Sequence, residues 1–69
     1  MKIKYNEAMK EINKEFKNLG LQMKPQNANI NGMKVYKVVD RDSGITLDSN
    51  FTLWSMYENM LNGYFEKLN

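Results

Sequence analysis

The chain has 69 residues, 42% of them hydrophobic and 26% charged, with a formal net charge of +2. That length suits one domain spanning 1–69 and leaves no room for two. The sequence contains neither cysteine nor histidine. Disulfides, Cys/His zinc sites, thiol nucleophiles, Ser–His triads and haem ligation by either residue are therefore excluded.

A domain this small buries only about 60% of the surface its unfolded chain exposes, so a deep, dry active site is hard to build. No run approaches 18 apolar residues, and no apolar signal core follows the first lysines. The expectation is a cytoplasmic protein with no membrane contact, no cofactor and no metal. Nine of the ten basic residues are lysine, and asparagine occurs ten times; both have AT-rich codons. Residues 1–37 hold eight lysines against Glu7, Glu11 and Glu15, a net of +5. Residues 38–69 hold Arg41 and Lys67 against Asp40, Asp42, Asp48, Glu58 and Glu66, a net of −3. Such a dipolar chain steers charged partners within a Debye length of about 8 Å.

The first element is helical. Tyr5, Ala8, Met9, Ile12, Phe16 and Leu19 recur at steps of three and four, on an arc of roughly 100°. Gly20 follows as a stop. Lys10, Lys14 and Lys17 form one solvent ridge, and Glu7, Glu11 and Glu15 the next, giving i,i+3 pairs Glu7–Lys10 and Glu11–Lys14. Residues 21–32 read as a connector, because Pro25 forbids a continuing helix. Ala28–Ile30 fits a strand and a loop equally, since Asn27 and Asn29 are poor strand formers.

Asn31-Gly32 is the strongest hairpin signal. It leads into the strand Met33–Val39, whose alternation is imperfect: Val35 and Val39 share a face with Lys37, Tyr36 and Val38 the other. A bulge, or a sheet covered on both faces, accounts for that. Asp40–Gly44 is a turn, and Ile45–Leu47, extendable to Phe51, returns as the partner strand. The last element is a helix over about Thr52–Leu68, with Thr52 or Asn50 as N-cap. Its apolar arc is roughly 140° wide, and Gly63 sits inside it at a cost of about 1 kcal/mol, suggesting close approach of another backbone. The order is α-β-β-α, or αβββα if the third strand forms: an α+β fold with two helices on one face of a small antiparallel sheet.

Chemistry-bearing patterns are sparse. Asp40, Asp42 and Gly44 begin like a calcium loop, but position 12 from Asp40 is Phe51 rather than an acid. The carboxylates lie in turns or on a polar helix face, not as a desolvated acid–base pair. No catalytic residue is assigned and no enzyme is expected. Tyr57, Leu61, Tyr64 and Leu68 are expected to build the core with Phe16, Ile12 and Val39. Trp54, Met56 and Phe65 then exceed what a two-layer domain absorbs, and residues of these kinds are enriched at interfaces. With Tyr5 and Tyr36 they form the expected partner-binding set. Lys10, Lys14, Lys17, Asp40, Asp42 and Asp48 would steer the approach, and a homodimer through the same surface is the companion expectation.

The phrase Val38-Val39-Asp40-Arg41-Asp42-Ser43-Gly44-Ile45-Thr46-Leu47, followed by Phe51-Thr52-Leu53-Trp54-Ser55-Met56-Tyr57, resembles the strand–turn–strand–helix phrase of small orphan phage and prophage proteins of AT-rich Gram-positive bacteria. The resemblance covers about half the chain and carries no functional residue. It implies a non-enzymatic inhibitor or modulator of a host protein, of the anti-CRISPR or other anti-defence kind. The alternative is a small nucleic-acid-binding or regulatory domain using the lysine ridge of the first helix, with Lys2, Lys4, Lys24, Lys34 and Lys37 as further cations for a phosphate backbone. An αβββα order also resembles double-stranded RNA-binding domains in topology, but their last helix begins with lysines, and here that segment reads Leu53-Trp54-Ser55-Met56.

Overall fold

The computed structural model describes residues 3–68. The elements run α1 (Tyr5–Leu19), β1 (Leu21–Ile30), β2 (Met33–Asp40), β3 (Thr46–Thr52) and α2 (Leu53–Leu61), with a 3-10 turn at Tyr64–Leu68. The strands form an antiparallel meander in the order β1-β2-β3. Both helices pack on one face of it, so the fold is α+β with two layers, only 17 Å across its thinnest dimension.

Helix α1 follows its apolar stripe. Ala8, Ile12 and Phe16 are completely buried. Its ends are fixed locally. The Glu7 carboxylate accepts from the Lys4 N–H at 3.4 Å. Gly20, at φ 73°, lets its N–H turn back to the Lys17 carbonyl at 3.3 Å. Left-handed backbone of this kind suits glycine, which has no Cβ to clash.

Strand β1 corrects the connector expected at 21–32. It is a continuous ten-residue strand that begins immediately after Gly20. Its residues have poor strand propensity, but β2 supplies the missing pairing from Leu21↔Asp40 through Pro25↔Tyr36. Pro25 is tolerated because β1 lies at the sheet edge. The register then shifts, leaving residues 26–28 opposite Val35 alone, before Asn29↔Lys34 and Ile30↔Met33 resume it. Asn31 and Gly32 both take positive φ, 52° and 78°, the requirement of a type I′ hairpin turn.

The second hairpin turns on Asp40. Its carboxylate accepts from the Ser43 N–H at 2.8 Å, and its carbonyl from the Gly44 N–H at 2.8 Å. Arg41 ties this turn to the start of β1, donating from its backbone to Gly20 and from Nε to the Leu21 carbonyl. Strand β3 carries two register shifts against β2, and Asn50 lies at φ 68° within it. These bulges resolve the broken alternation of β2. Tyr36 and Val38 join the core beneath the helices. Val35 and Val39 are buried on the opposite, helix-free face, which corrects the expected placement of Val39 beside Phe16 and Ile12.

Thr52 caps α2 by accepting from the Ser55 N–H at 3.2 Å. The helix ends at Leu61 rather than Leu68. Gly63 is not a mid-helix residue facing another backbone. It takes φ 75°, and an added Cβ there would meet only the Glu66 carboxylate, at 3.5 Å. Its role is conformational: the helix stops, and the 3-10 turn brings Phe65 back under α1. The Phe16 and Phe65 rings meet edge-on at 4.8 Å, with Phe51 and Tyr64 at 5.4 and 5.2 Å from Phe65. Leu61, expected in the core, stays outside it at 60% exposure.

Candidate docking cleft

The break after α2 divides the aromatic residues into two groups. Phe16, Phe51, Tyr64 and Phe65 close one end of the helical layer. At the other end, the first turn of α1 meets the first turn of α2. Tyr5 and Trp54 touch edge-on there with centroids 6.3 Å apart, yet are 45% and 43% exposed. Met33, beside the turn of the first hairpin, is 47% exposed.

These residues, with Lys34, Thr52 and Leu53, line a cleft of about 140 Å³. Small-molecule sites are commonly 300–1,000 Å³, so this cleft suits one inserted side chain rather than a whole ligand. Tyr36 supports it from inside. It is buried, and its hydroxyl meets the Tyr5 hydroxyl at 2.7 Å. That hydrogen bond, with partial burial, raises the Tyr5 pKa above 10.0. The Lys34 ammonium lies 5.7 Å from the Tyr36 ring centroid. Among the described residues the cleft thus combines an aromatic edge, a flexible thioether and the Lys34 cation, and no carboxylate lines it.

A second furrow of about 370 Å³ runs between the helices, lined by Glu11, Lys14, Glu15, Met60 and Leu61. It is larger, but three of its five lining residues are charged, so it offers less desolvated apolar contact.

Placement of the expected contact set is uneven. Trp54 and Tyr5 are brought together and exposed. Met56 and Phe65 are buried, at 0% and 1%, and Tyr36 at 5%; these three belong to the core and reach a partner only if the core opens. Lys10, Lys14 and Lys17 are exposed on α1. Of the flanking glutamates, Glu7 caps the helix and Glu11 accepts from the Tyr57 hydroxyl at 3.3 Å.

Asp48 is held on the helix side by the Tyr64 hydroxyl at 2.6 Å, which raises the Tyr64 pKa above 10.0. Asp40 is held within its turn, where the Ser43 N–H lowers its pKa below 3.8. Asp42 stands exposed beside it. Among the described residues no group of three acidic side chains is placed to hold a metal, and no helix is long and apolar enough to cross a membrane.

Sequence reasoning places Lys34 among the lysines for a phosphate backbone, not beside Trp54, and does not single out Met33. The Asn31-Gly32 turn locates both at the turn end of a hairpin, but periodicity does not say which helix end that turn meets. Comparison with protein-family models, with characterised proteins and with solved structures returned no match for this chain. The geometry defines a class: a small α+β domain with one side-chain-sized aromatic cleft at the end of its helical layer.

Proposed function

We propose that the chain is a non-enzymatic protein-binding module, and that the cleft of Tyr5, Met33, Lys34 and Trp54 is its contact surface. One observation carries this reading. Three large apolar side chains, each more than two-fifths exposed, converge on a cavity that one partner side chain would fill. Hot spots are built in this way, from an aromatic anchor beside a pocket.

A non-enzymatic role is supported by the structural employment of the acids. Asp40, Asp48, Glu7 and Glu11 each accept a bond that holds an element in place. The nature of the partner, a host defence protein inhibited or modulated during phage infection, rests on the resemblance of residues 38–57 alone. A homodimer through the same cleft is the competing occupant.

The test compares the wild-type chain with Trp54→Ala on a column exposed to host lysate, with sedimentation velocity alongside. The reading expects a protein retained by the wild type and released by the variant, at unchanged fold and mass. Equal retention by both chains removes the cleft from the interface. A wild-type dimer that Trp54→Ala dissociates assigns the surface to self-association.

A further inference from the structure

The helix-free face of the sheet carries charge that nothing balances. Lys24 and Lys37 are direct cross-strand partners on β1 and β2. Lys37 lies between Tyr36 and Val38, which point to the helices, so its own side chain lies on the opposite face. Lys24 has the same orientation between Met23 and Pro25. Like charges placed directly opposite one another destabilise a sheet. Among the described residues neither lysine has a hydrogen-bond or ion-pair partner.

Among the described residues no carboxylate of the strands shares this face. Strand β1 contains none, Asp48 of β3 faces Tyr64 on the helix side, and Asp40 closes its own turn. The lysines of α1, by contrast, alternate with three glutamates. Around the pair polar side chains lie beside the buried Val35 and Val39. Gln22 and Thr46 flank Val39. Gln26 reaches from β1 to Asn50 of β3, accepting from its N–H at 2.8 Å.

No aromatic residue points outward here, since Tyr36 and Phe51 both face the helices. A protein partner would find no aromatic anchor to bury, and single-stranded nucleic acid no base-stacking platform. A duplex displays its phosphates outward and needs only cations and hydrogen-bond donors.

We propose that this open face binds the phosphate backbone of double-stranded DNA, without reading sequence, through Lys24 and Lys37. The surface is distinct from the aromatic cleft and from the α1 ridge, and does not depend on either. The lysine pair costs the free chain stability, and both ammonium groups meet phosphate in the complex. Replacing one lysine by glutamate therefore acts in opposite directions on folding and on binding.

The experiment measures binding of a short DNA duplex at low salt by fluorescence anisotropy, with thermal denaturation of each chain. Wild-type affinity should fall with a log–log salt slope of about 2, near 0.9 per phosphate. Lys24→Glu should raise Tm by about a few degrees, by placing opposite charges across the strands, and weaken binding at least about tenfold. The double variant Lys24→Glu/Lys37→Glu should abolish binding. Lys10→Glu/Lys14→Glu changes net charge equally but should leave affinity within about twofold.

Equal losses from the two double variants would reduce the effect to net charge and overturn the proposal. So would an unchanged or lower Tm for Lys24→Glu, or absence of duplex binding by the wild type. Single-stranded DNA or poly-glutamate competing as well as duplex, charge for charge, would also overturn the assignment to duplex backbone.

Discussion

The two ends of the helical layer are built from similar residues and end in different states. At one end, Phe65 is 1% exposed against Phe16, Phe51 and Tyr64; at the other, Trp54 and Tyr5 touch yet remain over two-fifths exposed. The difference lies in the backbone, not in hydrophobicity. Gly63 stops α2 and lets the 3-10 turn fold Phe65 inward. Trp54 sits in the first turn of a helix already fixed by the Thr52 cap, with no such hinge to move it. The surplus apolar width of the C-terminal segment is thus absorbed at one end only.

The largest expected break in this comparison is at the closed end. Phe65→Ala removes a fully buried ring and should cost about 3–5 kcal/mol in urea denaturation; a loss under about 1 kcal/mol would mean the ring is not core. At the open end, Trp54→Ala should reverse the balance. Partner binding should fall by about 2 kcal/mol or more, roughly 30-fold. Stability should change by less than about 1.5 kcal/mol, the scale of one aromatic edge contact.

The hinge itself gives a smaller effect. Gly63→Ala forces a Cβ into left-handed backbone and should cost about 1–2 kcal/mol, whereas Gly63→Asn should recover part of it. Stabilisation by Gly63→Ala would instead point to a continuous helix.

The smallest effect is a pH dependence at the closed end. The folded chain holds the Tyr64 proton more tightly than the unfolded chain, through its bond to the Asp48 carboxylate. Stability from this bond is complete below pH 10.0, the ordinary tyrosine value, and is lost as pH rises past it toward the raised folded value. Tyr64→Phe should therefore shallow the alkaline fall in urea midpoint measured between about pH 9 and 11. An unchanged slope would leave Tyr5 and Tyr57 as its source.

How much of this was legible depended on whether the cause was local. The extent of α1, the Asn31-Gly32 turn, the turn at Asp40 and the Thr52 cap follow from side chains acting on adjacent backbone. Strand β1 did not announce itself, because Pro25, Asn27 and Asn29 disfavour it locally and only pairing with β2 creates it.

The wheel drawn through Gly63 also misled. Beyond the break its phase no longer applies, so it places outward a Phe65 that the structure buries; Leu61 lies before the break, as the last residue of α2, and stays 60% exposed. For the cleft, Trp54 and Tyr5 stood out by residue type. Met33 and Lys34 did not, since their place beside Trp54 depends on how the turn end of the hairpin packs against two helix ends.

The open end can be tested without knowing the partner. Trp54 is the single tryptophan, so collisional quenching of its fluorescence by acrylamide, in a dilute chain shown to be monomeric, reports on that end alone. The account predicts red-shifted emission and efficient quenching, with little change on unfolding in urea. Blue-shifted emission that acrylamide reaches only after unfolding would contradict it, for the cleft would then be closed by the protomer's own side chains.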